Sequence, residues 1–206
     1  ELIAERAPGE HTADSVCVTV GANGALLGSM LASVDAGDEV LVPNPGFPTY
    51  EAITSLAGAH PVRYPMSADD GFCFSAAALE TLITGKTRAI VINSPSNPTG
   101  RIIPESELES LALLADTHDL VVISDEVYRE FHYRVPCPSF LDVSDRGLVI
   151  NSLSKTEAMT GWRIGWVVGP PEFIGAITAV NQHSVTCAPA LSQRAALRAL
   201  GDGADE

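Results

Sequence analysis

Lys155 has the local sequence that most clearly suggests chemistry. It ends the run Ser152-Leu153-Ser154-Lys155, directly after the apolar segment 148–151, and Lys86 is the only other lysine in the chain. An amine that follows a buried strand is partly desolvated, and desolvation favours the neutral form of lysine, which is the nucleophile. We therefore predict that Lys155 acts as a nucleophile just beyond the end of a strand.

Asp125 and Tyr128 follow another apolar segment, Leu120 to Ile123. A carboxylate at the end of a buried strand is costly unless a cation or a strong donor accompanies it, so Asp125 needs a partner. Tyr128 comes three residues later and would lie on the same side if the chain turns helically there.

Two turns rich in proline and glycine follow two further apolar segments. The turn 43–50 presents Phe47 and Tyr50 near one edge, where an aromatic ring could stack on a flat ligand or could pack against the next helix. The turn 93–100 fixes its backbone and leaves the amides of Asn93 and Asn97 to point outward, although a plain turn has the same composition.

Small residues follow the first apolar segment. The run Gly21-Ala22-Asn23-Gly24 frees backbone N–H groups at the start of a helix, where they could hold an anion such as phosphate. The alternative is a tight turn, which a pair of glycines before a helix makes more often.

Short apolar segments alternate with longer helical ones and must position these residues. Strands are predicted at 15–20, 39–42, 61–64, 88–92, 120–123, 148–151 and 164–168. Helices are predicted at 24–34, 50–57 and 75–83, from Pro104 onward, and in a last stretch before the polar tail 201–206. Strands this apolar are buried on both faces, which predicts one α/β domain, a three-layer sandwich with a mainly parallel central sheet and helices on both faces. Ligands collect beyond the carboxyl ends of such strands, so we expect the polar residues to meet there.

The composition narrows the choice of partners. The chain has 206 residues, with 12 basic and 26 acidic side chains, and its net charge of −14 would repel nucleic acids and anionic membranes. The four cysteines lack the spacing of metal ligands, so we predict free thiols, most of them buried, and no metal site. No apolar run approaches the roughly 20 residues of a membrane span, and the first residues do not read as a signal sequence, so we predict a cytoplasmic protein.

Three motifs together resemble one known family. They are Asn97-Pro98-Thr99-Gly100, the run from Ser124 to Tyr128, and Ser152-Leu153-Ser154-Lys155 followed eight residues later by Arg163. Their order and spacing resemble those of the fold-type I pyridoxal-phosphate-dependent aminotransferases of classes I and II. The likeness covers nearly the whole chain and implies the large, cofactor-binding domain of such an enzyme.

The resemblance implies a role for each residue. Lys155 would carry pyridoxal 5'-phosphate as a Schiff base and later move a proton, while Asp125 would pair with the pyridine nitrogen. Asn97 and Tyr128 would contact the phenolic oxygen, and Phe47 would stack on the ring. Lys155, Asp125 and Tyr128 are thus the predicted catalytic residues.

The phosphate would be held by a separate group of residues. The resemblance assigns it to the backbone N–H groups of Ala22 and Asn23, the hydroxyls of Ser152 and Ser154, and Arg163, whose planar fork suits phosphate oxygens.

The implied reaction moves an amino group between an L-amino acid and a 2-oxo acid. One alternative is a β- or γ-eliminating lyase or a cyclase, which would use the same cofactor on an amino acid. Another is a cofactor-binding domain of a transcription regulator, against which the acidic charge argues.

Departures from the family concern length and one residue. Members are usually much longer, have a second, smaller domain built from both chain ends, and work as homodimers. We therefore expect residues 1–206 to be a fragment, the large domain without the N-terminal segment and the C-terminal small domain. Glu157 stands where relatives often have an aromatic residue or histidine.

Overall fold

The computed structural model describes residues 1–202, which form one seven-stranded sheet covered by helices. The strands are β1 (Val16–Val20), β2 (Glu39–Asn44), β3 (His60–Pro65), β4 (Thr87–Asn93), β5 (Val121–Asp125), β6 (Leu148–Ser152) and β7 (Ile164–Val168). Their order across the sheet is β1-β7-β6-β5-β4-β2-β3. The pairs from β6 to β3 are parallel, and β7 runs antiparallel to both β6 and β1. The prediction of a mainly parallel sheet is confirmed.

Helices cover both faces of this sheet. They are α1 (Leu2–Arg6), α2 (Gly21–Ser33), α3 (Thr49–Leu56), α4 (Ala76–Glu80), α5 (Glu105–His118), α6 (Leu153–Thr156), α7 (Pro171–Ser184) and α8 (Ala190–Asp202). One apolar core joins α2, α3 and α7 to the sheet, and a second core joins α4 and α5 to the opposite face. Because strand side chains alternate between faces, Ile90 and Ile92 of β4 enter the second core while Val91 between them enters the first. The three-layer sandwich is therefore confirmed.

Some local predictions were wrong. The last helical stretch is two helices, α7 and α8. Two further helices, α1 and α6, were not predicted, and they have only 5 and 4 residues. Most of the predicted polar tail, residues 203–206, lies outside the described residues. Of the four free cysteines, Cys17 and Cys137 are buried, but Cys73 and Cys187 are exposed. Within residues 1–202, none of the helices has the length and apolar character needed to cross a bilayer.

The carboxyl ends of β1, β4, β5 and β6 and the start of β7 lie at the same edge of the sheet. Gly165 of β7 allows the start of α2 to approach this edge closely. A Cβ on Gly165 would lie 2.5 Å from the carbonyl carbon of Gly21 and 2.6 Å from the amide nitrogen of Ala22. The missing side chain thus sets where the first amides of α2 lie.

Candidate active site

One pocket at this edge of the sheet collects the chemistry-bearing residues. It has a volume of about 170 Å³. All ten residues predicted from the sequence line it, namely Ala22, Asn23, Phe47, Asn97, Asp125, Tyr128, Ser152, Ser154, Lys155 and Arg163. Two larger cavities, of about 240 and 340 Å³, contain neither Lys155 nor Asp125. Glu157 lines the first of these and not the site pocket.

Asp125 lies at the base of the pocket as the last residue of β5, and only 3% of it is exposed. The hydroxyl of Tyr50 donates to its Oδ2 at 2.8 Å, and the backbone N–H of Val127 donates to its Oδ1 at 3.3 Å. Burial raises the pKa of Asp125 to about 6, although both donors and the charge of Lys155 act in the opposite direction. Asp125 therefore has the donors that the sequence analysis required for a buried carboxylate.

Lys155 projects from α6 at the mouth of the pocket. Ser152 begins this short helix, because its Oγ accepts a hydrogen bond from the N–H of Ser154 at 3.3 Å. The amine of Lys155 lies 5.5 Å from the centre of the Tyr128 ring, within the range of a cation–π contact. Lys155 is exposed, so the predicted desolvation by the neighbouring strand was wrong. The reason is that β6 ends at Ser152 and the turn of α6 carries the lysine away from the buried edge.

Arg163 lies beside the start of α2. It has a left-handed backbone conformation with φ of 54°, its carbonyl accepts from the N–H of Gly21 at 3.0 Å, and its guanidinium donates to the carbonyl of Thr160 at 2.8 Å. Gly21 has φ of 68°, and a Cβ there would overlap the guanidinium of Arg163. No carboxylate among residues 1–201 forms an ion pair with Arg163, and the first turn of α2 has no acidic residue. The arginine and the positive end of the helix dipole together form a place for an anion beside Ala22 and Asn23.

Asn93 is a pocket residue that the sequence analysis misread. We expected its amide to point outward, but it is the last residue of β4 and only 5% exposed. Its Nδ2 donates to the carbonyl of Asp125 at 2.9 Å, and its Oδ1 accepts from the N–H of Asn97 at 2.6 Å. Asn93 thus ties the turn that carries Asn97 to the end of β5. The signal in the sequence was its position as the last residue after a continuous apolar strand, where a polar side chain needs partners.

Tyr50 is the second residue that the predicted site omitted. The sequence left open whether it stacks on a ligand or packs against a helix, whereas the structure gives it a hydrogen bond to Asp125. Because the hydroxyl of a buried tyrosine usually forms a hydrogen bond, the sequence could have predicted that Tyr50 has a partner, but not that the partner is Asp125.

Comparison with known proteins identifies the family of this chain. The model of the family "Aminotransferase class I and II" matches residues 2–206. The chain belongs to this family. Aspartate aminotransferase of Pyrococcus abyssi is 38% identical over 98% of this chain and 54% of its own length, and arginine–pyruvate transaminase of Pseudomonas aeruginosa is 41% identical over 91% and 49%. The chain thus spans about half the length of these curated relatives.

Solved aminotransferase structures also match this chain. Aspartate aminotransferase of Thermus thermophilus, solved with maleate, matches 99% of this chain and 55% of that chain with a TM-score of 0.96 at 37% identity. Enzymes of this family use pyridoxal phosphate. The donor set of the pocket fits that cofactor, since it offers an amine, a buried carboxylate for a ring nitrogen, and an anion site beside Arg163.

Proposed function

We propose that this chain is the cofactor-binding large domain of a pyridoxal-phosphate-dependent aminotransferase that moves an amino group between an L-amino acid and a 2-oxo acid. The observation that carries the proposal is the meeting of Lys155, the buried Asp125 and Arg163 in one pocket. The names of the relatives support transfer of an amino group over elimination or cyclisation.

Four residues would hold the ring of the cofactor. Asp125 would accept a hydrogen bond from the protonated pyridine nitrogen, and its burial would strengthen that charge pair. Asn97 and Tyr128 would bind the phenolic oxygen, and Phe47 would contact a face of the ring. The hydrogen bond from the backbone N–H of Asn97 to Oδ1 of Asn93 supports this arrangement, because it fixes the turn on which Asn97 lies.

The phosphate would occupy the anion site at the start of α2. The N–H groups of Ala22 and Asn23, the hydroxyls of Ser152 and Ser154, and Arg163 would donate to its oxygens. Since Arg163 has no carboxylate partner among the residues that the structure describes, its charge is available for this anion.

Lys155 would perform the proton transfers. When bound, pyridoxal phosphate supplies an electron sink that stabilises negative charge on the substrate Cα. The Nζ of Lys155 would hold the cofactor covalently and, once free, would accept the proton from the substrate Cα. The exposure of Lys155 to the open pocket supports this role, because a substrate can reach the amine.

The whole protein is proposed to be a cytoplasmic homodimer that acts on amino-acid and 2-oxo-acid substrates, without nucleic-acid or membrane partners. The net charge of −14 supports the last point. Light scattering on the full-length protein should give twice the mass of one chain, and the mass of a single chain would contradict the dimer.

Incubation of the full-length protein with pyridoxal phosphate, a panel of amino acids and 2-oxoglutarate tests the reaction. We expect glutamate to form and ammonia to stay at background, whereas ammonia without glutamate would indicate elimination and contradict the proposal. Lys155→Ala should abolish glutamate formation. Lys86→Ala is the matched control, since Lys86 is an exposed lysine outside the pocket, and it should keep the activity of the wild type.

A further inference from the structure

Tyr50 holds Asp125 from a different part of the chain. It lies in the first turn of α3, is 2% exposed, and donates its hydroxyl to Oδ2 of Asp125 at 2.8 Å across 75 residues of sequence. The other donor, the N–H of Val127, is only two residues from Asp125 and is longer, at 3.3 Å. Tyr50 is therefore the contact that fixes the carboxylate of Asp125 relative to α3.

The same tyrosine is linked to Phe47. The N–H of Tyr50 donates to the carbonyl of Phe47 at 3.1 Å, and the two rings meet edge to face with 5.8 Å between centroids. Thr54 in turn donates to the carbonyl of Tyr50 at 2.8 Å, which anchors the first turn of α3. One helix turn thus connects a residue proposed to contact the ring face with the carboxylate proposed to bind the ring nitrogen.

We propose that Tyr50 is a positioning residue, which orients the Asp125 carboxylate toward the ring nitrogen of the cofactor by donating a hydrogen bond to Oδ2. This inference rests on the proposed function for the identity of the ligand. It concerns a residue that touches Asp125 and acts through it.

The hydroxyl of Tyr50 also favours the charged form of Asp125, against the larger effect of burial. Burial raises the pKa of Tyr50 well above its usual value, so the hydroxyl remains a donor through the neutral range. Its donation lowers the pKa of Asp125 against the effect of burial, so removal of the hydroxyl should raise that pKa beyond about 6. The other titratable groups around the pocket are Tyr128 in the turn after β5, Lys155 of α6 and Arg163 before β7.

Tyr50→Phe tests the proposal with Tyr64→Phe as the matched control. Tyr64 is 4% exposed and donates its hydroxyl to the carbonyl of Val91 at 2.9 Å, but it does not line the pocket. The affinity of the full-length apoprotein for pyridoxal phosphate is measured by absorbance as a function of pH. Tyr50→Phe should weaken binding about tenfold at neutral pH and move the acid-side midpoint upward by about one unit. Tyr64→Phe should match the wild type.

An analogue with carbon in place of the ring nitrogen separates positioning from general damage to the pocket. It cannot pair with Asp125, so wild type and Tyr50→Phe should bind it equally. The proposal would be overturned if Tyr50→Phe lost affinity equally for both ligands. It would also be overturned if Tyr50→Phe bound pyridoxal phosphate with the affinity and the pH midpoint of the wild type. If the wild type binds no pyridoxal phosphate at all, the proposed function fails.

A measurement on the wild-type apoprotein covers the case in which Tyr50→Phe does not fold. With ¹³C at Cζ of the four tyrosines, the Tyr50 resonance should shift with a midpoint near the Asp125 pKa of about 6, while Tyr64 should not shift. A Tyr50 resonance that stays constant through this range would refute the contact even if the cofactor binds.

Discussion

Two adjacent carboxylates at the end of β5 point to opposite sides of the sheet and have different surroundings. Asp125 faces the candidate active site, and Glu126 lines the cavity of about 240 Å³. Both are buried, at 3% and 2% exposure, and burial raises the pKa of each. Burial alone therefore does not distinguish a functional carboxylate from a structural one.

The difference lies in the partners. Glu126 Oε1 accepts from the hydroxyl of Ser124 at 2.9 Å and from the N–H of Phe140 at 2.8 Å, and Arg129 lies 4.0 Å from Oε2. These contacts fasten the segment after β5 to the sheet. Asp125 instead has donors from Tyr50 and Val127 and faces a pocket that also holds a lysine. Since both carboxylates line a cavity, the groups around them decide, and the carboxylate that shares its pocket with Lys155 and Arg163 is the one to assign to function.

The largest expected effect is on the reaction of Asp125→Asn. Asparagine keeps the shape but cannot carry the charge that stabilises a protonated ring nitrogen, so the rate with an amino acid should fall about 10²- to 10³-fold. Single-turnover absorbance measurements on the full-length enzyme would give this rate. Glu126→Gln is the control and should keep the rate within about threefold by the same reasoning. Similar losses in both variants would erase the distinction between the two carboxylates.

The second effect is on stability, where mutation of Glu126 should be more harmful than mutation of Asp125. Glu126→Ala leaves the Ser124 hydroxyl and the Phe140 N–H without their acceptor, which should lower the free energy of unfolding by about 2–4 kcal/mol. Urea unfolding of the apoprotein measures the loss. Glu130→Ala, at the exposed position four residues on, should change stability by less than about 0.5 kcal/mol. An equally small effect of Glu126→Ala would show that its hydrogen bonds do not stabilise the fold.

The difference in stability between Asp125→Asn and the wild type should depend on pH, because Asp125 has a raised pKa. Folding raises the pKa of this residue from 3.8 to about 6, so the folded state binds its proton more tightly than the unfolded state. The resulting stabilisation is complete below a pH of about 4 and is lost as the pH rises through about 6. At a pH of about 8, apoprotein with Asp125→Asn should be about 1–3 kcal/mol more stable than the wild type, and the difference should vanish below about 4. A difference that is constant over this range would contradict the assigned pKa.

Ser29 provides the smallest effect and a third kind of buried polar group. Its Oγ is buried in α2 and, among the residues that the structure describes, has no hydrogen-bond partner. Ser29→Ala should therefore leave stability unchanged or raise it by up to about 1 kcal/mol. Thermal unfolding of Ser29→Ala and Thr54→Val measures the two effects side by side. The Thr54 hydroxyl donates to the carbonyl of Tyr50 at 2.8 Å, so Thr54→Val should be destabilised. A destabilised Ser29→Ala protein would show that the hydroxyl has a partner.

The sequence predicted the sheet because its strands are continuously apolar. The four residues of β4 from Ala89 to Ile92 are fully buried. A strand that is buried on both faces is apolar at every position, and this can be recognised in the sequence without knowing which strands lie beside it. The short helices α1 and α6 have no room for such a periodicity. The exposure of Lys155 was missed for this reason, since it depends on the turn made by α6.

The residues of the site could be predicted from the sequence, but the hydrogen bonds between them could not. Lys155, Asp125 and Arg163 follow strand ends or stand near a strand start, and that placement brings them to one edge. The hydrogen bond between Tyr50 and Asp125 joins positions 75 residues apart, and no local pattern specifies it. The prediction for Asn93 was wrong because the sequence does not show whether the residue before a turn rich in proline and glycine still belongs to the strand.

Attachment of the cofactor to Lys155 can be measured directly. The full-length protein is mixed with pyridoxal phosphate, treated with borohydride to fix the cofactor on its lysine, digested and mapped by mass spectrometry. We expect one phosphopyridoxyl group on Lys155 and none on the exposed Lys86. Lys155 left unmodified, or labelled only as much as Lys86, would contradict it.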